Sequence, residues 1–261
     1  MNRSTTSKVK STSRTPPVDV RRRLRAEVGF GCPLCGSPHL EYHHFNPTWA
    51  EQKHHDQQGM IALCAEHHAA ADSGAFTNDQ LKSLKRPNHT FVQSSFQRRR
   101  KHTVFVCGGN YAYQCDSMLR VAGIDLIYFE KDEFGYDTLS LNIYDVCMNR
   151  IFEMRMNDWL ARINVDDIET PPAARTLLFK SAIHRVNVKI EFKDRKMLNP
   201  EDNNISTEFG IPADEDVVFC FFTGDIPAPV PVKFNNSNIQ VGSMIVGGSR
   251  MAGCGVGVQV N

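Results

Sequence analysis

The chain lacks any apolar run approaching the roughly 20 residues that a membrane-crossing helix needs, so no helical membrane span is expected. It has almost no net charge. Its 30 basic and 29 acidic side chains leave +1 overall, which makes it neither an acidic tail nor a uniformly basic nucleic-acid coat. Eight cysteines in 261 residues fall short of a disulfide scaffold, and three of them sit in metal-ligand spacing, which fits a reducing compartment. The opening MNRSTTSKVKSTSRTPP has no apolar core of the secretory-signal kind and points to an intracellular, cytoplasmic protein.

What is present is ordinary in bulk and uneven in detail. Hydrophobic residues at 41% and charged residues at 23% describe a soluble globular chain, and its length suits two modest domains better than one large one. The basic residues are clustered: Arg21, Arg22, Arg23 and Arg25 precede the first cysteines, and Arg98, Arg99, Arg100 and Lys101 close the same region. Arg21 to Arg23 and Arg98 to Arg100 are therefore candidate phosphate contacts for a nucleic acid. A solvated helix face followed by a charged linker would have the same composition.

Residues 1 to 17 read as a disordered basic arm. Val18 to Glu27 can form a short helix after the prolines, broken by Gly29 and Gly31. Leu40 to His44 suits a short strand, Met60 to Leu63 is another apolar stretch, and Ala65 to Ala71 is an alanine-rich helical start. Thr77 and Gln80 form a capping box for a further helix through Leu84 that should stop near Pro87. Beyond Lys101 the chain turns mainly β. Thr138 to Tyr144 and Val186 to Phe192 alternate at period two, and Val217 to Phe222 is a continuous apolar run suited to a fully buried strand. Prolines at 227, 229 and 231 break that pattern, and Ile239 to Val260 resembles stacked short strands, so a sandwich and a short solenoid both fit. The expected organisation is α+β: an arm at 1–17, a small metal-stabilised domain at 18–100 and a mainly β domain at 101–261.

Chemistry concentrates before residue 86. Cys32-Pro-Leu-Cys35 places two thiolates on one turn, and Cys64-Ala-Glu-His67 repeats the two-residue gap. Four such donors close a tetrahedron that zinc favours, and a closed set is structural. Zinc in small fingers is worth on the order of 10 kcal/mol, comparable to the stability of a whole domain. His43, His44 and His68 then exceed what one zinc ion can use, which implies a second site.

In its CPLCG turn and its EYHHFNP and MIALCAEHHAAAD segments, the region from about 18 to 86 resembles the HNH endonucleases, the ββα-metal nucleases. The resemblance implies a divalent ion, magnesium or a transition metal, at the scissile phosphate, with His43 and His68 as its ligands. It makes His44 the general base that activates water, and Cys32, Cys35, Cys64 and His67 a structural zinc knuckle. One departure stands out: the family's middle asparagine falls on Gly59. Its loop-bracing task would pass to Gln58, Asn46, His54 or His55. Glu41 is close enough in sequence to orient a histidine, but a straight strand would turn His44 away from the face shared by Glu41 and His43.

The resemblance implies cleavage of DNA, with RNA an open alternative because both share the phosphodiester. The other reading is a zinc-stabilised nucleic-acid-binding module that does not cut. After residue 101 no comparable constellation appears: His102 and His184 stand alone, Asp166 and Asp167 lack evident partners, and Asn157-Asp158-Trp159 reads as a turn with an anchoring aromatic. The second domain would then serve targeting, sensing or self-association into a homo-oligomer, an arrangement similar to bacterial or phage HNH proteins, including defence effectors.

Overall fold

Pro17 ends the polar arm, and its carbonyl accepts from the Arg21 amide at 3.0 Å, which starts helix α1 (Val18–Glu27). The computed structural model describes residues 13–85, 91–96, 98–162, 165–171, 175–181, 187–227 and 230–261. Residues 1–12 of the expected arm, the expected helix stop at Pro87, and Val186, His184 and Pro229 lie outside them. The fold is α+β and mostly β.

Helix α1 presents two faces, because residues four apart share a side. Val20, Leu24 and Val28 turn into a small apolar core with Leu40, Phe45, Leu63 and Leu81. Arg21 and Arg25, on the adjoining face, turn toward the β half. Strands β1 (Leu40–His44) and β2 (Met60–Cys64) pair antiparallel, with Leu40 opposite Cys64 and His44 opposite Met60. All of β2 is buried. Helix α2 (Ala65–Asp72) leaves β2 directly from Cys64, and α3 (Asn78–Ser83) follows with the full Thr77–Gln80 capping box.

The β half begins earlier than expected. Phe91–Ser95, ahead of Lys101, already pairs with Asp158–Arg162 as the edge of a seven-stranded sheet that runs through Arg150–Arg155, Asp137–Tyr144, Ile124–Lys131 and Ser117–Val121 to Val256–Val260. A ten-stranded sheet runs from Asp167–Glu169 through Thr176–Lys180, Asn187–Asp194 and Val217–Ile226 to the short strands that end at Met244–Val246. His102–Cys107 lies parallel beside Val217–Phe222. The two sheets share one apolar core, in which Phe152 of the first meets Phe179 of the second edge-on at 5.2 Å.

The apolar run at 217–222 has a simple cause. Val218, Cys220 and Phe222 enter the shared core, while Val217 and Phe219 pack on the other side against Ile205 of helix α4 (Pro200–Glu208) and Ile211. A strand covered on both faces has no polar side to show. Trp159 is buried as the expected anchor, and Asn157 beside it takes a positive φ of 71°. The Asn157 side chain accepts from Leu139 N and donates to Arg98 O. Among the described residues no helix is long and apolar enough to cross a membrane.

The two halves are tied by α1. The Arg25 guanidinium, 2% exposed, donates to both Asp167 oxygens at 2.9 and 2.6 Å and to Tyr42 Oη at 2.5 Å. Arg22 reaches Asp166 at 3.3 Å, and Thr170 donates to the Pro38 carbonyl at 2.6 Å. Phe30 inserts into the core of the β half. Asp166 and Asp167 thus have partners after all, supplied from more than 140 residues away.

Candidate metal centres and a buried histidine

Cys32 and Cys35 lie on one turn, closed by Gly36 N donating to Cys32 O at 2.7 Å. The β1–β2 register brings Cys64 to the same end of the hairpin, and His67 returns to it from the first turn of α2. His67 Nδ1 is 3.1 Å from Cys64 Sγ and 3.6 Å from Cys32 Sγ, and Cys35 Sγ is 3.7 Å from Cys64 Sγ. A tetrahedron with zinc–sulfur bonds of about 2.3 Å has edges of about 3.8 Å, so these spacings fit one ion. All four donor atoms lie within 4.8 Å of one another and can hold a metal such as zinc. Burial pushes the Cys64 thiol up to about 11. A dication reverses that preference by stabilising thiolates, so the donor chemistry also fits.

A second group forms where β1 meets α2. His43 Nδ1 is 3.2 Å from Asp72 Oδ1, His68 Nδ1 is 3.3 Å from Asp72 Oδ2, and the two imidazoles meet edge-on at 5.1 Å. Their donor atoms also lie within 4.8 Å of one another. His43 and His68 are thus brought together as expected. Asp72 was not anticipated, although it lies one helical turn beyond His68, where an i,i+4 pair shares a face. Glu41 stands farther off, 3.9 Å from His68. The His43 pKa is lowered by burial first and then by the neighbouring His68, against the pull of Asp72. Two imidazoles with one carboxylate, the last half exposed to solvent, suit a divalent cation that keeps open positions.

His44 turns the other way, as the strand pleat requires. Its ring lies among Trp49, His54 and His55 and is 3% exposed. Its Nε2 is 3.1 Å from the His54 carbonyl, which only accepts, so Nε2 carries the proton. Nδ1 keeps its lone pair and has no hydrogen-bond partner. Burial, then the neighbouring His54, lowers the His44 pKa to about 4. It is a neutral imidazole with a free acceptor nitrogen.

The loop that holds His44 has an unusual brace. His54 Nε2 donates to the Pro47 carbonyl at 2.8 Å, its Nδ1 accepts from Asp56 N at 3.0 Å, and its own carbonyl holds His44. Gly59 makes room for this. A Cβ there would stand 2.0 Å from Asn46 O and 2.9 Å from His54 Cε1, so a side chain at 59 and this His54 ring exclude each other. Of the four stand-ins for the missing asparagine, His54 ties the loop; His55 instead stacks on Trp49 at 5.4 Å.

The arginines divide differently from expectation. Arg21 pairs with Glu169 at 3.7 Å and Arg22 with Asp166, so both help seat α1 on the β half, whereas Arg23 is exposed. Arg98 is buried, bonded to Asp194 at 3.0 Å and lying over the Phe192 ring, which leaves it no open face for a phosphate. Arg99 meets Asp132 at 3.6 Å and Arg100 meets Asp194 at 3.7 Å. His102 is not alone either: it binds Tyr113 Oη at 2.7 Å and the Glu215 carboxylate. Of the remaining cysteines, Cys107, Cys115 and Cys220 are buried, Cys254 is half-buried and Cys147 is exposed.

No protein-family model, no curated protein and no solved structure matches this chain.

Proposed function

We propose that the chain is a metal-dependent endonuclease of the HNH type, with β1, β2 and α2 as its ββα-metal finger, and that it hydrolyses phosphodiester bonds in DNA. The observation that carries this reading is the placement of two consecutive histidines on one strand. His43 joins His68 and Asp72 in a group suited to a divalent ion, while His44 is held neutral with Nδ1 free.

His43, His68 and Asp72 would hold a divalent ion such as magnesium, which would supply positive charge against the charge that develops on the phosphate in the transition state. In this reading His44, on the strand side away from His43, accepts the proton of the attacking water at its buried Nδ1, which requires the loop at Trp49 and His55 to open. Its Nε2–H stays on the His54 carbonyl, which fixes the ring and stabilises the imidazolium once formed. The Cys32, Cys35, Cys64 and His67 group holds the ends of the hairpin, and so sets where α2 presents His68.

The test is cleavage by the purified full chain of plasmid DNA and of a matched RNA, with magnesium, manganese or nickel added in turn. His44→Ala should lower the rate by roughly 10² to 10⁴ while zinc content and melting stay as they were. Equal cutting by both proteins would remove His44 as the base. Absence of cutting with every metal would leave the zinc-stabilised nucleic-acid-binding module as the reading.

A further inference from the structure

A cavity of about 570 Å³ lies between α1, β1 and the segment 169–171 of the β half. That volume is within the range of small-ligand sites, roughly 300 to 1,000 Å³. Its walls are of two kinds. Pro16, Pro38, Leu40 and Pro171 offer flat apolar surface, while Arg14, Arg21, Glu41 and Glu169 bring charge of both signs. Arg21 Nε is buried with no partner, although a terminal nitrogen of the same guanidinium stands 3.7 Å from Glu169, and Arg14 is exposed. His68 lines the same cavity and also belongs to the group formed with His43 and Asp72.

We propose that this cavity binds one unstacked nucleotide, with its base against the proline and leucine wall and its phosphate between Arg14, Arg21 and His68. Each part of a nucleotide meets a matching surface. A base stacks on flat apolar groups and presents N–H donors, which the Glu41 carboxylate accepts. A phosphate takes the guanidinium N–H groups, including the unsatisfied Arg21 Nε. Because His68 is common to both sites, the nucleotide is the one flanking the scissile bond, a placement that rests on the nuclease reading above. Such a cavity favours ends, loops and single strands over an intact duplex, whose bases are stacked away from it.

The same chemistry arises from a nucleotide within a polymer or from a free one, and calorimetry on the full-length, zinc-loaded protein without added divalent ion separates them. The probes are guanosine and thymidine 5′-monophosphates, a single-stranded DNA octamer and inorganic phosphate. Arg14→Ala and Pro171→Trp test the two walls; Arg14 is exposed, so its loss does not threaten folding, and circular dichroism and zinc content check both variants. The expected result is binding of mononucleotides and octamer at least about tenfold tighter than phosphate, weakened about tenfold by each variant. Octamer binding well above mononucleotide binding identifies a polymer as the source, and equal binding identifies a free nucleotide; either supports the cavity. Phosphate binding as tight as nucleotide binding, no binding of any probe, or indifference to both variants overturns it. Binding is read without cutting, so a chain that binds and never cuts loses the nuclease reading and keeps the cavity. A chain that cuts and ignores both variants loses only the cavity.

Discussion

The two halves of this molecule are held by different means. The N-terminal finger has a small core around Leu24, Met60, Leu63 and Leu81, and its hairpin ends converge on four metal-binding side chains. The β half has two broad sheets with a shared aromatic core and no such cluster among its described residues. A small core needs an outside source of stability, whereas a large one does not. Both clusters able to hold a metal therefore sit on the half with the smaller core. Two different donor sets lie there, one closed and sulfur-rich, the other open and made of nitrogen and oxygen; in the proposed function the first serves folding and the second activity.

The largest test of this contrast is to remove the structural metal. Chelation, or Cys64→Ser, should cost the finger on the order of 10 kcal/mol and melt it, while the β half keeps its strand signal by circular dichroism and its resistance to protease. Unfolding of the whole chain together would show that the halves are one cooperative unit. Next in size, Asp167→Ala leaves buried Arg25 without its main partner and should cost roughly 3 to 5 kcal/mol, read by urea denaturation, with the finger released first. An unchanged midpoint would mean that α1 is seated by the other contacts between the halves, those of Arg21 and Arg22 with Glu169 and Asp166, of Phe30 and of Thr170.

Much of the finger was legible because its signals are local. The gaps 32–35 and 64–67, the Thr77–Gln80 box and the paired histidines each lie within one turn or hairpin, where spacing in the chain is spacing in space. Asp72 was legible on the same terms, one turn from His68, but carried no motif to draw attention. The arginines of α1 were not: their partners Asp166, Asp167 and Glu169 come from the β half, more than 140 residues on, and an amphipathic count cannot separate a cation that binds phosphate from one that binds a distant carboxylate. In the β half the strands showed and their neighbours did not. The alternation at 138–144 marks a strand but not that Thr138 and Ser140 on its polar side are buried too, and nothing in Val217–Phe222 names His102–Cys107 as its parallel neighbour. The role of His54 was hidden for a further reason, since only the fold reveals that Gly59 vacates the space its ring needs.

A smaller perturbation should separate the two donor sets within the finger. Gly59→Ala places a Cβ against Asn46 O and the His54 ring and should cost roughly 1 to 3 kcal/mol. It should slow cleavage by displacing the His44 brace while zinc stoichiometry, measured by mass spectrometry, stays the same. Loss of zinc together with activity would make the two sets one. The mildest test is acid. His44 must be unprotonated to accept a proton, and its pKa is held below the ordinary 6.5, at about 4. Cleavage should persist as the pH falls through 6.5 and fail only toward 4; a rate that titrates near 6.5 would show His44 open to water. The sign for stability is the same: the native state binds fewer protons than the unfolded chain between these values, so acid weakens the fold across that window.

The pairing of Phe91–Ser95 with Asp158–Arg162 bears on how this chain can be transplanted. A cassette cut after residue 100 would carry an edge strand torn from its sheet, together with Phe30 stripped of its socket. The remainder would present the unzipped flank of Asp158–Arg162, an invitation to aggregate. A graft ending before Phe91 avoids the first and third faults but still bares Phe30, so a portable version needs a polar residue at that position as well.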